Sequence, residues 1–269
     1  MLAGLFTYPV KALRGLAHPS IEVCAAGLRG DRSWMLVDAR QSPARFVTQR
    51  ERPELACFAA QVSAQGALEL TAPSGARFVL EPGEPTSRVR VRLWRREIEA
   101  IDEGDAVAAW WAHELCQPGL RLVRVDERAI AESAAARGFF SDAAPVLVTN
   151  LASLAALNAA LYGGRGGNLP MDRFRPNLVL DGLGAWEEDS IDRLVIGEVV
   201  LRFTKPCVRC EVTTTDQSTG VRLGSEPLVT LARLRNDPDE GGATFGRYAV
   251  VERPGRVTLG QPVEVSYHF

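Results

Sequence analysis

The chain has 269 residues, 46% hydrophobic and 24% charged, which suits two modest globular domains or one large one. A net charge of −2 argues against a general nucleic-acid binder and leaves room only for a local basic pocket. Five cysteines, odd in number and irregularly spaced, do not make a disulfide framework and favour a reducing compartment, and no apolar run approaches the ~18 residues of a membrane helix.

The apolar start, Met1 to Val10, lacks the basic head and cleavage site of a signal peptide. Its core, Leu2 to Thr7, reads as a first strand that ends at Tyr8-Pro9-Val10-Lys11, with a loop from Gly15. Ile21 to Ala25 reads as a second strand, and Gly27 and Gly30 bracket a turn. Asp31 to Asp38 is the next strand, with a turn over Ala39 to Pro43. Leu55 to Leu80 has the pattern of antiparallel hairpins, with turns at Gln65-Gly66 and Pro73-Ser74-Gly75. Val89 to Leu93 and Glu97 to Ile101 are short strands. So many strands about 8–12 residues apart predict an all-β barrel or sandwich here.

A helix is expected from Asp102 or Gly104 through Trp110 and Trp111 to near Cys116, with the tryptophan pair as packing. Gln117-Pro118-Gly119 breaks it and marks a domain boundary, giving domains of 1–118 and 119–269. Leu120 to Val125 is a strand, Glu127 to Arg137 is polar and alanine-rich, and Pro145 to Val148 is a buried strand. Asn150 is placed to cap a helix carrying Leu151, Leu154, Leu157 and Leu161 on one face. Gly163-Gly164 ends it, and the glycine-rich run from Arg165 to Leu169 lacks the Gly-Lys-Ser/Thr of a phosphate loop. Pro227 to Leu234 is a short helix. Gly246 to Val251 and Pro262 to Tyr267 are closing strands.

The stretch from Lys205-Pro206-Cys207-Val208-Arg209-Cys210 through Thr213-Thr214-Thr215-Asp216 to Thr219-Gly220 carries the chemistry. Cys207 follows an apolar run, Val199 to Phe203, and Pro206 stiffens the backbone just before it. Positive charge at Lys205 and Arg209 favours a thiolate, the form that ligates a soft metal or acts as a nucleophile. From these residues alone Cys207-x-x-Cys210 is open to four readings: such a site, half of a zinc site, a thioredoxin-like redox pair, or two buried structural cysteines. The other cysteines and the three histidines are scattered. Val208, Val212 and the threonines favour a strand.

This stretch resembles the signature of the MOSC domain, the C-terminal domain of molybdenum cofactor sulfurases, roughly K-P-C-x-R-C-x-x-T-x-x-D-x-x-T-G. Four shorter pieces extend the resemblance over nearly the whole chain. Tyr8-Pro9-Val10-Lys11 is similar to Y-P-[IV]-K-S, with Ala12 in place of the serine. Gly30-Asp31-Arg32-Ser33-Trp34 is similar to G-D-R-x-[WY], Phe174-Arg175-Pro176-Asn177 to F-R-P-N, and Phe245-Gly246-Arg247-Tyr248 to F-G-x-Y. Phe140-Ser141-Asp142 is a weaker match. Together they resemble the two-part proteins with an N-terminal MOSC β-barrel domain, the mitochondrial amidoxime-reducing component and its bacterial counterparts. The resemblance implies an α+β, β-rich fold: a barrel-like N-terminal domain, whose first strand contributes to the cofactor site, then a MOSC β-barrel domain with a few helices.

It also implies a molybdenum cofactor (Mo-molybdopterin), with Cys207 as metal ligand and catalytic residue and Cys210 packed nearby. This cofactor is a pterin whose dithiolene holds molybdenum and which ends in a phosphate. A phosphate needs cationic donors, and an arginine fork binds it bidentately. Lys11, Arg32 and Arg175 are the candidates, although Asp31-Arg32 is equally a turn ion pair. Asn177 offers a donor and an acceptor to a pterin edge. Asn150 stands where relatives carry a serine facing the cofactor, or is only a helix cap. Thr213 is a pterin partner or a strand residue, and Tyr248 reaches the metal side or packs in a strand. Lys205 and Arg209 complete the expected cofactor-binding set.

The implied activity is reduction of N-hydroxylated small molecules, with the oxygen leaving as water after two electrons and two protons. Some bacterial relatives end in a domain with an iron–sulfur cluster. The cysteines here lack the plant-type spacing, so no cluster is expected and the electrons come from a separate ferredoxin-, flavoprotein- or cytochrome-type donor. No pyridoxal phosphate is expected, because the sulfurases' domain for it is missing. The mitochondrial relatives' targeting segment is not found ahead of the first domain, so a cytoplasmic protein without a membrane anchor is expected. The alternatives are a non-catalytic carrier of the cofactor, or of a persulfide on Cys207, and a plain β-rich domain with a small-molecule pocket.

Overall fold

Alternation decides the first half. In Arg88–Leu93 the arginines face solvent while Val91 and Leu93 are buried. This strand pairs with Arg96–Asp102, and the order continues through Leu120–Val125, Trp34–Asp38 and Ala44–Phe46 to close a five-stranded barrel, in the computed structural model that describes residues 1–81, 83, 87–125 and 139–268. The barrel core includes Met35, Val37, Phe46, Val91, Leu93, Leu120 and Leu122. A three-stranded meander, Ala59–Val62, Leu68–Thr71 and Arg77–Leu80, lies beside it. Helix α1, Asp105–Glu114, buries Trp111, whose ring centroid is 5.1 Å from that of Phe58. The expected hairpins therefore form, except that residues Pro53–Cys57 make a 3₁₀ turn.

The break at Gln117-Pro118-Gly119 does not part the two halves in space. Leu120–Val125, which follows it, is a barrel strand. The first strand goes the other way: Leu2–Thr7 pairs with Leu178–Leu180, and Ser20–Cys24 pairs with Gly255–Thr258. The chain is thus sewn into the second half before it enters the barrel at Trp34. The polar stretch 127–137 lies outside the described residues.

The second half is a nine-stranded sheet. In order it runs Leu16–Ala17, Leu2–Thr7, Leu178–Leu180, Val146–Asn150, Gly242–Arg253, Val199–Val208, Ile191–Ile196 and Glu264–Tyr267, with Asn236–Asp237 beside Gly242–Arg253. Leu2, Leu5, Val146, Val148, Leu201 and Phe203 fill its core. Helix α2, Leu151–Gly164, is capped by Asn150, whose side chain accepts from Ala152 N, and it loses helical geometry from Leu161. It packs with helix α3, Leu228–Leu234, around Phe174 and Phe245, whose rings stack at 3.9 Å. Among the described residues, no helix is long and apolar enough to cross a membrane.

One local expectation fails. The strand carrying Cys207 stops at Val208, and Glu211–Thr214 forms a 3₁₀ turn rather than more strand. The threonine hydroxyls turn back on their own chain: Thr213 Oγ1 donates to Cys210 O at 2.9 Å and Thr214 Oγ1 to Glu211 O at 2.7 Å. Such local bonds compete with a ladder and override β propensity.

Candidate active site

Cys207 sits one residue before the end of its strand and is 2% exposed. Arg209 Nη1 donates to Cys207 Sγ at 2.8 Å, while Nη2 donates to Phe174 O at 2.7 Å and the guanidinium lies 5.5 Å from the Phe174 ring. Burial works against the Arg209 charge, but Cys207, Tyr248 and Cys210 outweigh it and raise its pKa. Tyr248, on the adjacent long strand, reaches the same sulfur with its hydroxyl, and burial followed by Cys207 raises its pKa well above the ordinary value. The bend that brings this strand over needs Gly246: φ is 73°, and a Cβ would lie 2.7 Å from Val148 O.

The opposite wall is built at the seam between the halves. The first two sequence pieces lace together there: Tyr8 N donates to Asp31 Oδ1 at 2.8 Å, Arg32 N to Tyr8 O at 2.8 Å, and Lys11 N to Trp34 O at 2.8 Å. Arg32 and Arg175 both hold left-handed backbone, φ 51° and 52°, which costs on the order of 1–3 kcal/mol and persists only where the surroundings impose it. Their guanidiniums share the Tyr8 ring, at 4.7 and 4.2 Å from its centroid. Burial pushes the Tyr8 hydroxyl up to about 12, despite the two arginines. Arg32 is ion-paired with Asp31, and Lys11 Nζ lies 2.7 Å from Asp142 Oδ1. Burial lowers the Lys11 pKa, and Asp142 only partly opposes it.

Arg175 is the exception. Among the described residues it donates only to neutral acceptors, Leu13 O at 2.7 Å and Gln217 Oε1 at 3.1 Å. Burial, with the like charge of Arg32 adding to it, pulls Arg175 down to about 10. Arg175 is half-buried, and a cation held partly out of water without an ion-pair partner is costly, so an anionic group entering here would be favoured.

Both walls line one cavity of about 240 Å³, which holds Lys11, Arg32, Arg175, Asn177, Cys207, Arg209 and Tyr248 together. Three candidates lie elsewhere. Asn150 is fully buried and spends its amide on Ala152 N, Gly184 O and Glu188 Oε2. Thr213 is buried in its turn. Lys205 faces solvent, 3.0 Å from Glu240 Oε2, so Arg209 alone of the two flanking cations meets the thiol. Asn177 reaches the cavity but uses its amide on the scaffold: Oδ1 accepts from Leu147 N at 3.1 Å and from Arg32 Nη1 at 3.2 Å, and Nδ2 donates to Phe6 O at 3.2 Å.

No motif in the sequence marks Gln49, which also lines the cavity and ties Ala12 O to Gln217. Nor does any single out Trp94, Phe46 or Arg50, the barrel's share of the wall. Tyr8 and Asp142 lie inside the family-like pieces Tyr8-Pro9-Val10-Lys11 and Phe140-Ser141-Asp142, whose pattern alone does not reveal their part in the wall. Asp216 closes the loop after the cysteines by accepting from Ser218 and Thr219 and pairing with Arg173 at 3.1 Å. Gly220 is required there: φ is 70°, and a Cβ would meet Glu54 Cα at 2.8 Å.

Fold and site define a class: a β-rich protein of two interlocked units, with a buried cysteine and a cluster of cations facing one another across a cavity between them. The MOSC domain model matches residues 136–264, and the MOSC N-terminal beta barrel domain model matches residues 1–118. The chain is 34% identical to mitochondrial amidoxime-reducing component 1 of Homo sapiens, covering 97% of this chain and 82% of that protein. It is 32% identical to mitochondrial amidoxime reducing component 2 of Bos taurus, over 96% of this chain and 81% of that protein. A molybdenum cofactor sulfurase of Drosophila grimshawi is 31% identical, over 98% of this chain but 34% of that protein. The chain belongs to the MOSC-domain family, in the group with an N-terminal MOSC β-barrel domain.

Proposed function

We propose that the cavity holds a molybdenum–pterin cofactor with Cys207 Sγ as protein ligand, and that the protein reduces N-hydroxylated small molecules with electrons from a separate donor. The observation that carries this reading is the pairing of a buried thiol with a set of buried and half-buried cations that is short of counter-charge at Arg175. The residues fit the group: a sulfur for a soft metal, and guanidinium forks for a phosphate. The relatives named for amidoxime reduction and for the molybdenum cofactor lend support.

The bound group would supply the two-electron chemistry. The chain's own residues do the rest: Arg209 fixes Sγ, Arg175, Arg32 and Lys11 receive the anionic end, and Asn177 orients Arg32. In the net reaction the N–O bond breaks, two electrons and two protons arrive, an N–H bond forms and the oxygen leaves as water.

Molybdenum and pterin content of wild type and Cys207→Ala tests the reading. Metal in wild type and background levels in the variant are expected; equal loading would remove Cys207 as ligand. Dye-driven turnover of an N-hydroxylated compound then separates the enzyme from a carrier, which would load, fail to turn over and pass its cofactor to an apo-enzyme.

A further inference from the structure

The mouth of the cavity has two unlike rims. On the barrel side Trp94 stands 42% exposed at the tip of the hairpin joining Arg88–Leu93 to Arg96–Asp102, with the Arg50 guanidinium 4.7 Å from its ring centroid. Arg95 follows in the same turn and is exposed. Arg92 and Arg45, directly paired across neighbouring strands, extend the basic surface and are about half exposed. Glu97 lies 3.3 Å from Arg92, Glu51 2.8 Å from Arg45, and Asp142, which also pairs with Lys11, accepts from Trp94 Nε1 at 2.7 Å, so three carboxylates face four arginines, in a chain whose net charge is −2.

Across the mouth Val208 lines the cavity and is 38% exposed, and the turn after it exposes Val221 and Leu223 at 52% and 60%, beside one ion pair of Arg222 with Glu211 at 3.4 Å. Arg222, between the last two, donates to the carbonyls of Gln49 at 3.1 Å and of Arg50, which fixes this rim beside the arginines. The cavity wall does not need Arg92, Arg95 or Leu223, none of which lines it. Exposed aliphatic side chains bordered by an excess of one charge have the anatomy of a protein docking face, where apolar contact gives affinity and charge gives steering.

We propose that this face docks the electron-donor protein, and that the donor's surface is acidic around its redox centre. The inference rests on the function proposed above, in which each N–O cleavage consumes two electrons, supplied as one electron from each of two reduced donor molecules that leave oxidised. The mouth between the rims opens onto the cavity that holds Cys207, so a donor seated there meets the site where the electrons are used.

The probe is a reduced, acidic [2Fe–2S] ferredoxin, and the readout is its binding to the full-length, cofactor-loaded protein at low and high salt. Arg92→Glu/Arg95→Glu and, separately, Leu223→Ser are each expected to weaken binding roughly tenfold or more, and salt is expected to weaken wild type much more than the charge-reversed variant. Dye-driven turnover should be unchanged in both. Absence of dye-driven turnover in wild type would count against the proposed function, while binding reports on docking independently. The docking proposal is overturned if both variants bind the ferredoxin like wild type, or if wild type does not bind it at low salt. It also fails if duplex DNA or anionic vesicles bind with the same arginine dependence and the ferredoxin does not.

Discussion

The two walls of the cavity need very different amounts of the chain. On the thiol side Cys207 and Arg209 are two residues apart at one strand end, and Tyr248 comes from the strand next to it. On the cation side Arg32 is 143 residues from Arg175, and both depend on Tyr8, with further support from Asp31, Asn177 and Gln217. A local wall is lost with one substitution. A distributed wall is cross-braced, so its residues divide into those that serve a ligand and those that hold the fold, and the two kinds separate by experiment.

The sharpest division is at Arg175. Arg175→Ala is expected to weaken cofactor retention about 10–100-fold, equivalent to about 1.4–2.7 kcal/mol, while the unfolding midpoint of cofactor-free protein holds or rises because a half-buried charge without an ion-pair partner has gone. Pterin content after gel filtration and a thermal melt read both. A collapse in stability would make Arg175 a brace rather than a receptor. Asn150 should behave in the opposite way. Asn150→Ala loses the cap on Ala152 N and a donor to Glu188, at about 1–2 kcal/mol in urea unfolding, with cofactor content unchanged. A loss of cofactor without a loss of stability would place it in the site after all.

Acid should loosen the loop beside the thiol wall. Hydrogen bonds from Ser218, with the Thr219 amide and Arg173, hold the Asp216 carboxyl at about 2. Its folded value lies below the unfolded one, so the unfolded chain binds more protons in between. The stability it gives is present above about pH 4 and is lost as pH falls toward 2. Wild type should therefore lose more stability between pH 4 and 2 than Asp216→Asn, and parallel melting curves would refute this. The smallest effect is expected at Lys205. Its pair with Glu240 is solvent-exposed, so Lys205→Ala should change stability by less than about 0.5 kcal/mol and leave cofactor content alone. A clear drop in metal content would mean that its charge reaches Cys207.

Arg209 was legible because i and i+2 on one strand end are close whatever the fold does. Lys205 carries the same spacing and charge, but it found Glu240, 35 residues away. Thr213 and Thr214 misled for a related reason: β propensity reports an average environment, and here their hydroxyls had nearer acceptors in their own turn.

By itself the sequence determined the strands, whose alternation and turn residues are local, the helix cap at Asn150, and the cysteine with its one arginine. Tertiary structure alone decided that Leu2–Thr7 joins the second sheet and Leu120–Val125 the first barrel. It also decided that Tyr8 is wedged against two arginines, and that Gln49 and Gln217 meet behind them. Pairings across more than a hundred residues leave no periodic trace in the chain. They exist only because two interlocked units bury one seam, and the polar groups buried there have to find each other.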